Sequence, residues 1–523
     1  MRDQDGVSAV PRTDKVISVL VKAGPRLLLA GAVVASLPLA LGAPGAGAAQ
    51  TTDPNLLSGD TATLQTSVGS WVGSAATVAR SAAGVLSLTA TSTGMASALS
   101  GAGATAVPAT ADRIYSGAVS VKSARNVRNV SAVLRFLAQD GTLLGNAFGQ
   151  PVTETTTSWT TSYTAVGIAP AGTAFVALAE AVGSPTVGEV HYLSHPVLTV
   201  APLVAHPAVV GPLHTSGATI YDGNGQPIVL RGVNRLGLQT SKPTGITSDE
   251  AAQARRWGAN MVRLPLSSSY WLTGNCNYDS TYAAAVDRAV QAVTSQGLVA
   301  LLDLHTNTMI ACAPVKQQRM ADSTGPEFWR QVASRYKDNP LVAFDLYNEP
   351  HDVSNDLWLN GGKIMSGTSI VTVSGMQSLY DAVRSTGATN LVFVSGLDWA
   401  SNPPSQLVTG SNVVYALHDY TCPYTTSPSQ CSPNPQDATP VLNRWVSLAT
   451  TYPVAVTEFG WPSQSDGRFM ANATAALESR GWSWTAFAWD GSTSGTFGLV
   501  ASLSTYEPTQ TGMPVLAALS RAS

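Results

Sequence analysis

The sequence predicts two globular parts, an all-β jelly-roll sandwich followed by a closed (β/α)8 barrel. Three observations lead to this prediction. Residues 51–200 carry short runs of alternating apolar and polar residues that are separated by turn signals. Residues 213–523 carry eight apolar runs rich in β-branched residues, with helix-forming stretches between them. The rival architecture, a doubly wound open sheet, normally shows a glycine-rich phosphate turn after an early strand, and the sequence has none.

The predicted sandwich occupies residues 51–200. Its strand candidates are 84–91, 117–123, 130–144, 158–166 and 172–182. The stretches "TSWTTSYTAVGIAPAGTAFVALAEAVG" and "GEVHYLSHPVLT" resemble jelly-roll carbohydrate-binding modules related to galactose-binding domains, and this resemblance implies sugar binding. The alternative is a sandwich that only spaces or stabilises the chain. Its core would then hold the aromatic residues Trp71, Trp159, Tyr163 and Phe175.

The predicted barrel domain, 213–523, follows a short linker at 201–212. Its strand candidates are 228–234, 259–265, 298–305, 341–350, 390–396, 413–420, 454–461 and 482–490. Helix candidates between them include 248–258, 281–297 and 326–339. Ser248 is the predicted N-cap of the first helix because two acidic residues follow it, although Ala251 denies it a full capping box.

The composition argues against a nucleic-acid partner. Net charge is −3 and only 12% of the 523 residues are charged, so no electrostatic nucleic-acid surface is expected. Apolar residues make up 44% of the chain, enough for a large core. The sequence lacks an HExxH motif and its cysteine spacing matches no zinc site. No metal or organic cofactor is expected, because carboxylates and water suffice for the chemistry inferred below. A monomer is expected.

Residues 1–49 are predicted to be a secretory signal segment. The basic residues Arg12, Lys15, Lys22 and Arg26 precede the apolar stretch 27–42, and small residues follow it up to Gln50. Pro38 interrupts the apolar stretch, which favours cleavage and export over a permanent membrane span. We therefore expect a secreted or cell-envelope-associated protein without stable membrane insertion after cleavage; a leader retained as an anchor is the alternative.

The four cysteines are predicted to form two structural disulfides, as suits an exported protein. Four cysteines allow three pairings. We favour Cys422–Cys431, which closes a short loop, together with Cys276–Cys312, whose members follow neighbouring strands of the predicted barrel.

Polar and aromatic residues stand at the ends of six barrel strands. They are Arg263, His305, Asn348, Glu349, His418, Tyr420, Glu458 and Trp489. Barrel enzymes carry their chemistry at the C-terminal ends of the strands, so these side chains are expected to share one rim. Each of them alone has a structural explanation, but together they predict an active site.

The motifs that hold these residues resemble those of glycoside hydrolase family 5. In chain order they are "LRGVN", "NMVRLP", "LDLH", "YNEP", "HDY", "TEFGW" and "AFAWD". The resemblance covers about residues 215–515 and implies a barrel glycosidase with glutamates after the fourth and seventh strands. An isolated "NEP" would be weak evidence, whereas seven motifs in this order are specific.

Two carboxyls at one rim can break a glycosidic bond if their environments separate their pKa values. Glu349 is the candidate acid/base, and Asn348 beside it can contact the sugar 2-hydroxyl. Glu458 is the candidate nucleophile, kept ionised by Arg263 and oriented by Tyr420. The alternative, two carboxylates that only form stabilising salt bridges, leaves the neighbouring polar residues unexplained.

The family resemblance implies the same roles for the two glutamates and a retaining mechanism. It also implies that His305 and His418 lie against the sugar or the catalytic pair, and that Trp489 is the platform under the reacting sugar. Asp303 and Asp345 inside the strands either orient these residues or are structural acids. Four tryptophans after strands could stack sugars or simply pack: Trp271, Trp358, Trp399 and Trp461.

The sequence therefore predicts a secreted retaining glycoside hydrolase that cleaves internal β-linkages of a polysaccharide, with a β-1,4-glucan as the first candidate. A β-mannanase, a β-1,3-glucanase or a glycolipid glycosidase on the same barrel is the alternative, because the fold does not fix the substrate. A polysaccharide- or wall-binding protein is the non-enzymatic alternative.

Overall fold

The computed structural model describes residues 54–149, 151–162, 164–202, 207–310, 312–420, 437–463, 467–491 and 497–521. They belong to one compact unit, Asp53–Ser523. The predicted signal segment and the predicted Cys422–Cys431 disulfide lie outside the described residues. Within these ranges, no helix has the length and apolar character needed to span a bilayer.

The N-terminal region is built from antiparallel strands. They are β1 (Val72–Ser74), β2 (Ala76–Ala82), β3 (Val85–Ala90), β4 (Ala96–Leu99), β5 (Val107–Pro108), β6 (Arg113–Ser123), β7 (Asn129–Leu137), β8 (Leu143–Phe148), β9 (Val152–Thr153), β10 (Thr160–Thr161), β11 (Ala165–Ile168), β12 (Phe175–Val182) and β13 (Val190–Pro202), preceded by helix α1 (Gly59–Thr63). One sheet has the order β1-β4-β12-β7-β8, with β5 on β12 and β9 on β7. The other has the order β10-β6-β13-β3-β2, with β11 on β6.

The two sheets enclose an apolar interior because their strands alternate inward and outward residues. Along β3, Leu86 and Leu88 are fully buried between partly exposed neighbours. They join Leu134 of β7 and Leu178 of β12 in one hydrophobic cluster. Of the aromatic residues expected in this core, Trp71 and Phe175 are buried, Trp159 is 42% exposed and Tyr163 lies outside the described residues.

The C-terminal region is a closed parallel barrel. Its strands, in order around the barrel, are β16 (Arg231–Asn234), β17 (Met261–Ser267), β18 (Val299–Thr306), β19 (Val342–Asp345), β22 (Val392–Ser395), β23 (Val413–Asp419), β24 (Val454–Phe459) and β25 (Ser483–Ala486), which pairs back onto β16. Two antiparallel hairpins accompany them: β14 (His214–Ser216) with β15 (Thr219–Tyr221), and β20 (Gly361–Ser366) with β21 (Ser369–Ser374). The predicted fold class is confirmed.

Helices cover the outside of the barrel, so its strands are buried on both faces and read as continuous apolar runs. They are α2 (Ser248–Trp257), α3 (Ser268–Trp271), α4 (Tyr282–Thr294), α5 (Gly325–Tyr336), α6 (Asn355–Asn360), α7 (Met376–Arg384), α8 (Leu397–Ala400), α9 (Thr439–Arg444), α10 (Arg468–Arg480) and α11 (Gly512–Arg521).

The N-terminus of α2 corrects the predicted cap by one residue. Thr247, not Ser248, is the N-cap: its hydroxyl accepts from the Glu250 amide at 3.2 Å, and the Glu250 carboxylate accepts from the Thr247 amide at 2.7 Å. Moving the cap upstream places Glu250 at the third helical position, which completes the capping box that the sequence analysis considered missing.

The sandwich packs directly against the barrel. Ile114 of β6 and Val166 of β11 are buried in the same hydrophobic cluster as the barrel helices, and α11 contacts β11. Arg256 of α2 forms an ion pair with Asp112, just before β6. β13 continues through the first two residues of the predicted linker, and residues 203–206 lie outside the described residues.

Candidate active site

Arg263 lies in the middle of β17 and is completely buried at the carboxyl-terminal end of the barrel. Its guanidinium donates to Glu458 (2.6 Å), Asp345 (2.9 Å), Asn348 (2.8 Å) and Asn234 (3.1 Å), and it forms an ion pair with Asp303 at 3.0 Å. A charge can be buried at acceptable cost only when it is paired and hydrogen-bonded, and this arginine satisfies both conditions. Arg263 thus holds together side chains from several strands of the barrel.

The two aspartates around Arg263 are also completely buried. Burial raises the pKa of both Asp303 and Asp345, and the nearby positive charge of Arg263 opposes that shift. Asp303 also bonds Nδ1 of His305 at 2.7 Å, and burial lowers the pKa of His305 to about 4, so this imidazole is neutral. Three carboxyls around one guanidinium favour a proton on one of the aspartates, which leaves the positive charge available to Glu458.

Glu458, at the end of β24, is held through both of its carboxylate oxygens. Arg263 donates to Oε1 at 2.6 Å and the Tyr420 hydroxyl donates to Oε2 at 2.9 Å. The side chain is 5% exposed. A carboxylate that accepts from a cation and a hydroxyl is fixed in orientation.

Glu349 follows β19 and has a different environment. Its Oε1 lies 2.7 Å from Nδ1 of His418, which comes from β23. Burial raises the pKa of Glu349 and lowers the pKa of His418 to about 3. A carboxyl whose pKa is raised keeps its proton to a higher pH than an exposed glutamate does, which suits a proton donor.

The two glutamates face each other across a small gap. One oxygen of Glu349, one oxygen of Glu458 and one ring nitrogen of His418 all lie within 4.8 Å of one another. Residues of the "YNEP", "HDY" and "TEFGW" motifs therefore meet at one rim. A histidine and two carboxylates this close could also hold a divalent cation.

Asn348 is engaged by both ends of its amide. Its oxygen accepts from Arg263, and its nitrogen donates to Gln317 Oε1 at 3.0 Å, while Gln317 donates to the Glu349 carbonyl at 3.1 Å. Sequence reasoning missed Gln317, which lies in the long segment after β18. Only the knowledge that this segment folds back over β19 would have revealed it.

The structure corrects the prediction for Trp489. Its ring is completely buried, edge-on to Trp257 at 4.9 Å and stacked on Tyr506 at 5.9 Å, so no sugar can stack on it. The aromatic ring of this segment that reaches the site is Phe487, which packs edge-on to Tyr420, the hydroxyl donor to Glu458, with ring centroids 6.3 Å apart. The eighth strand ends at Ala486, earlier than the apolar run suggested. The aromatic residue directly after the strand end is therefore Phe487, two residues before Trp489.

Three of the four outlying tryptophans are packing residues. Trp271, Trp358 and Trp461 are at most 7% exposed. Trp399 differs: it is 50% exposed and stacks on His351 with ring centroids 3.6 Å apart. It remains available for a sugar face.

The predicted Cys276–Cys312 disulfide is confirmed, with Cα atoms 5.0 Å apart. It joins the segment that follows β17 and α3 to the segment that follows β18. Two neighbouring chain segments on the catalytic side of the barrel are therefore covalently linked.

The model of the cellulase family, glycosyl hydrolase family 5, matches residues 221–493, just over half of the 523 residues. Endoglucanase 1 of Saitozyma flava is 29% identical over 197 residues, 36% of this chain and 57% of that protein. Endo-beta-1,4-glucanase B of Aspergillus niger is 30% identical over 158 residues, 28% of this chain and 42% of that protein. The chain thus spans about half the length of these relatives.

Among solved structures, the catalytic domain of the major endoglucanase from Xanthomonas campestris pv. campestris is 20% identical, with a TM-score of 0.46 and coverage of 59% of this chain and 100% of that one. The residues matched by the family model include both glutamates, Arg263 and His418. The chain belongs to glycosyl hydrolase family 5, the cellulase family.

Proposed function

We propose that this protein is a secreted retaining endoglucanase that cleaves internal β-1,4 linkages of a glucan. The observation that carries the proposal is the separation of the carboxylates, since oxygens of Glu349 and Glu458 lie within 4.8 Å of each other. Retaining glycosidases have carboxyl groups about 5–5.5 Å apart, whereas inverting enzymes need about 6.5–9.5 Å to admit a water molecule.

In the first step Glu458 attacks the anomeric carbon and forms a glycosyl ester. Glu349 gives its proton to the glycosidic oxygen, so the leaving sugar departs as an alcohol. In the second step Glu349, now ionised, takes a proton from water. The resulting hydroxide equivalent attacks the anomeric carbon and releases Glu458 as a carboxylate, which restores both groups and the original anomeric configuration.

The surrounding residues prepare the pair for these steps. Arg263 and Tyr420 hold Glu458 in the orientation for attack, and His418 holds Glu349. The second amide hydrogen of Asn348 is the candidate donor to the sugar 2-hydroxyl, a contact that strengthens in the transition state. Positions fixed by buried hydrogen bonds need little rearrangement during the reaction.

The choice of a β-1,4-glucan is supported by the names of the relatives, which are endoglucanases, and by the cellulase family itself. Export is supported by the predicted signal segment and by the Cys276–Cys312 disulfide, because disulfides persist mainly outside the cytosol. A polysaccharide is accordingly the proposed binding partner.

The test is hydrolysis of carboxymethylcellulose, β-mannan, β-1,3-glucan and a glycolipid, with product lengths measured over time. We expect early mid-chain products from the β-1,4-glucan. Preferential hydrolysis of another polymer would reassign the substrate, and tight polymer binding without hydrolysis would favour the binding-protein alternative.

The nucleophile is tested with Glu458→Gln, which keeps the size of the side chain but removes the charge. We expect at least about a thousandfold loss of turnover with a normal unfolding curve. A 2-fluoro-cellobioside should label wild-type Glu458 in a peptide detected by mass spectrometry. Labelling at another carboxylate would reject the assignment.

A further inference from the structure

A cavity of about 390 Å3 lies where the sandwich meets the barrel. Its sandwich wall comes from β8, β11 and the residues around Asp112, and its barrel wall comes from α2 and residues 505–508. We call this space the seam cavity. Its volume falls within the range of about 300–1,000 Å3 typical of small-molecule sites, which often lie between domains. It is distinct from the site of the two glutamates.

The lining of the seam cavity combines hydrogen-bonding groups with apolar surface. The polar side chains are Asp112, Asn146, Gln253, Arg256, Thr505 and Glu507. The apolar part includes Leu144, Pro170 and the ring of Tyr506. A mixed wall of carboxylates, amides and a ring suits a ligand that has both hydroxyl groups and a C–H face.

The charges of the cavity favour a neutral ligand. The Arg256 guanidinium already pairs with Asp112, and Glu507 adds a further carboxylate. An anionic ligand would meet an excess of negative charge, and a purely apolar ligand would leave the carboxylates and amides without partners. A neutral sugar meets both conditions.

Tyr506 is held in an uncommon backbone conformation at the cavity wall. Its φ is +56°, in the left-handed region that bulky residues rarely adopt and that costs about 1–3 kcal/mol. The ring stacks on Trp489 and stays partly exposed. A ring fixed in this way needs little further ordering when a sugar stacks on it.

The chain after β25 connects the seam cavity to the catalytic rings. Phe497 packs edge-on against Phe487 and Tyr420, whose hydroxyl bonds Glu458. Further along, Tyr506 and Glu507 line the cavity, and the Glu507 carbonyl accepts from the Ala501 amide at 2.7 Å. One segment of chain thus forms part of both places.

We propose that the seam cavity is an accessory binding site for a short segment of a neutral β-linked glucan. The identity of the sugar rests on the proposed function, whereas the presence of a saccharide site rests on the lining of the cavity. The site would bind a glucan segment away from the two glutamates and keep the polymer near them. The effective concentration of the polymer at the two glutamates is thereby raised.

Gly145 of β8 allows the cavity to be blocked. A Cβ atom on Gly145 would stand 3.5 Å from Pro170 and 3.8 Å from Glu507, both ordinary contacts, so it points into the cavity without a backbone clash. Gly145→Phe should therefore fill the space, and Gly145→Ala is the matched control. Tyr506→Ala is a second variant that removes the ring without adding bulk.

The experiment is calorimetric titration of the full chain carrying Glu458→Gln with cellotriose. We expect two binding events per chain, of which Gly145→Phe abolishes one and Gly145→Ala neither. Tyr506→Ala should weaken that same event about tenfold, which corresponds to about 1.4 kcal/mol. A single event that Gly145→Phe leaves unchanged, or no binding at all, would overturn the proposal.

An assay of β-1,4-glucan hydrolysis distinguishes failure of the seam-cavity proposal from failure of the proposed function. A wild-type chain that hydrolyses β-1,4-glucan but binds one cellotriose retains the proposed function and loses the seam site. A chain without β-1,4-glucanase activity that still shows a binding event sensitive to Gly145→Phe retains the seam site and loses the proposed function.

Discussion

Glu180 of β12 is a carboxyl placed inside the sandwich core. It is completely buried, and neither of its oxygens has a hydrogen-bond partner among the described residues. Burial, reinforced by the charge of Glu154, raises its pKa from 4.5 to about 8. Glu154 in turn bonds His191, which also faces Glu189, the partner of Arg128. Glu180 is therefore expected to be protonated in the folded protein at neutral pH.

Because of this raised pKa, the folded state becomes less stable as the pH rises. Between pH 4.5 and about 8 the unfolded chain loses the proton of Glu180 while the folded chain keeps it, so the free energy of unfolding falls across that window. One pKa unit equals about 1.4 kcal/mol, which gives a loss of about 3 kcal/mol at pH 7 and roughly 4 kcal/mol by pH 8, where the folded group is itself half ionised. Below pH 4.5 this residue contributes no pH dependence.

The variant Glu180→Gln cannot ionise and should flatten this dependence. We would measure urea unfolding of the full chain at pH 4.5, 6 and 8, together with hydrogen exchange of the β12 amides as a local readout. The difference in the free energy of unfolding between wild type and Glu180→Gln should change by several kcal/mol between pH 4.5 and pH 8. Glu327→Gln, at an exposed carboxyl of α5, is the matched control. A wild-type–variant difference that does not vary with pH would refute the reasoning.

Three further predictions concern the barrel. Because burial raises the pKa of Glu349, kcat/KM should fall on the alkaline side as this group loses its proton, and Glu349→Gln should abolish that limb of the pH–rate profile. Phe487→Ala should lower kcat/KM because it removes the ring packed against Tyr420, whereas Trp489→Ala should act mainly on stability, at a cost of about 3–5 kcal/mol measured by urea unfolding. Cys276→Ser should cost about 2–4 kcal/mol because the disulfide closes a 36-residue separation, and equal stability of wild type and variant under oxidising conditions would contradict this.

The barrel could be predicted from the sequence because its strands are covered on both faces. Such strands appear as uninterrupted apolar runs, and the polar residues that end them share one rim by geometry alone. This reasoning placed Glu349, Glu458, Arg263 and His418 in one neighbourhood, where the structure brings them together. Their catalytic roles remain proposals.

Other features depended on information that local patterns do not contain. Two aromatic residues near the end of β25, Phe487 and Trp489, face different surroundings, and only the position of the strand end decides which one reaches the cleft. Gln317 reaches the Glu349 carbonyl through a long segment whose path no periodicity indicates. The contact of Ile114 with the barrel joins residues far apart in the chain.

The shared packing of Ile114 and Val166 with the barrel helices has a practical consequence for modular engineering. A binding module can be exchanged freely only when a flexible linker separates it from the catalytic domain. In this protein, separating the sandwich from the barrel would expose apolar surface on both fragments and favour aggregation. A successful exchange would have to carry over the facing side of the replacement as well as its ligand site.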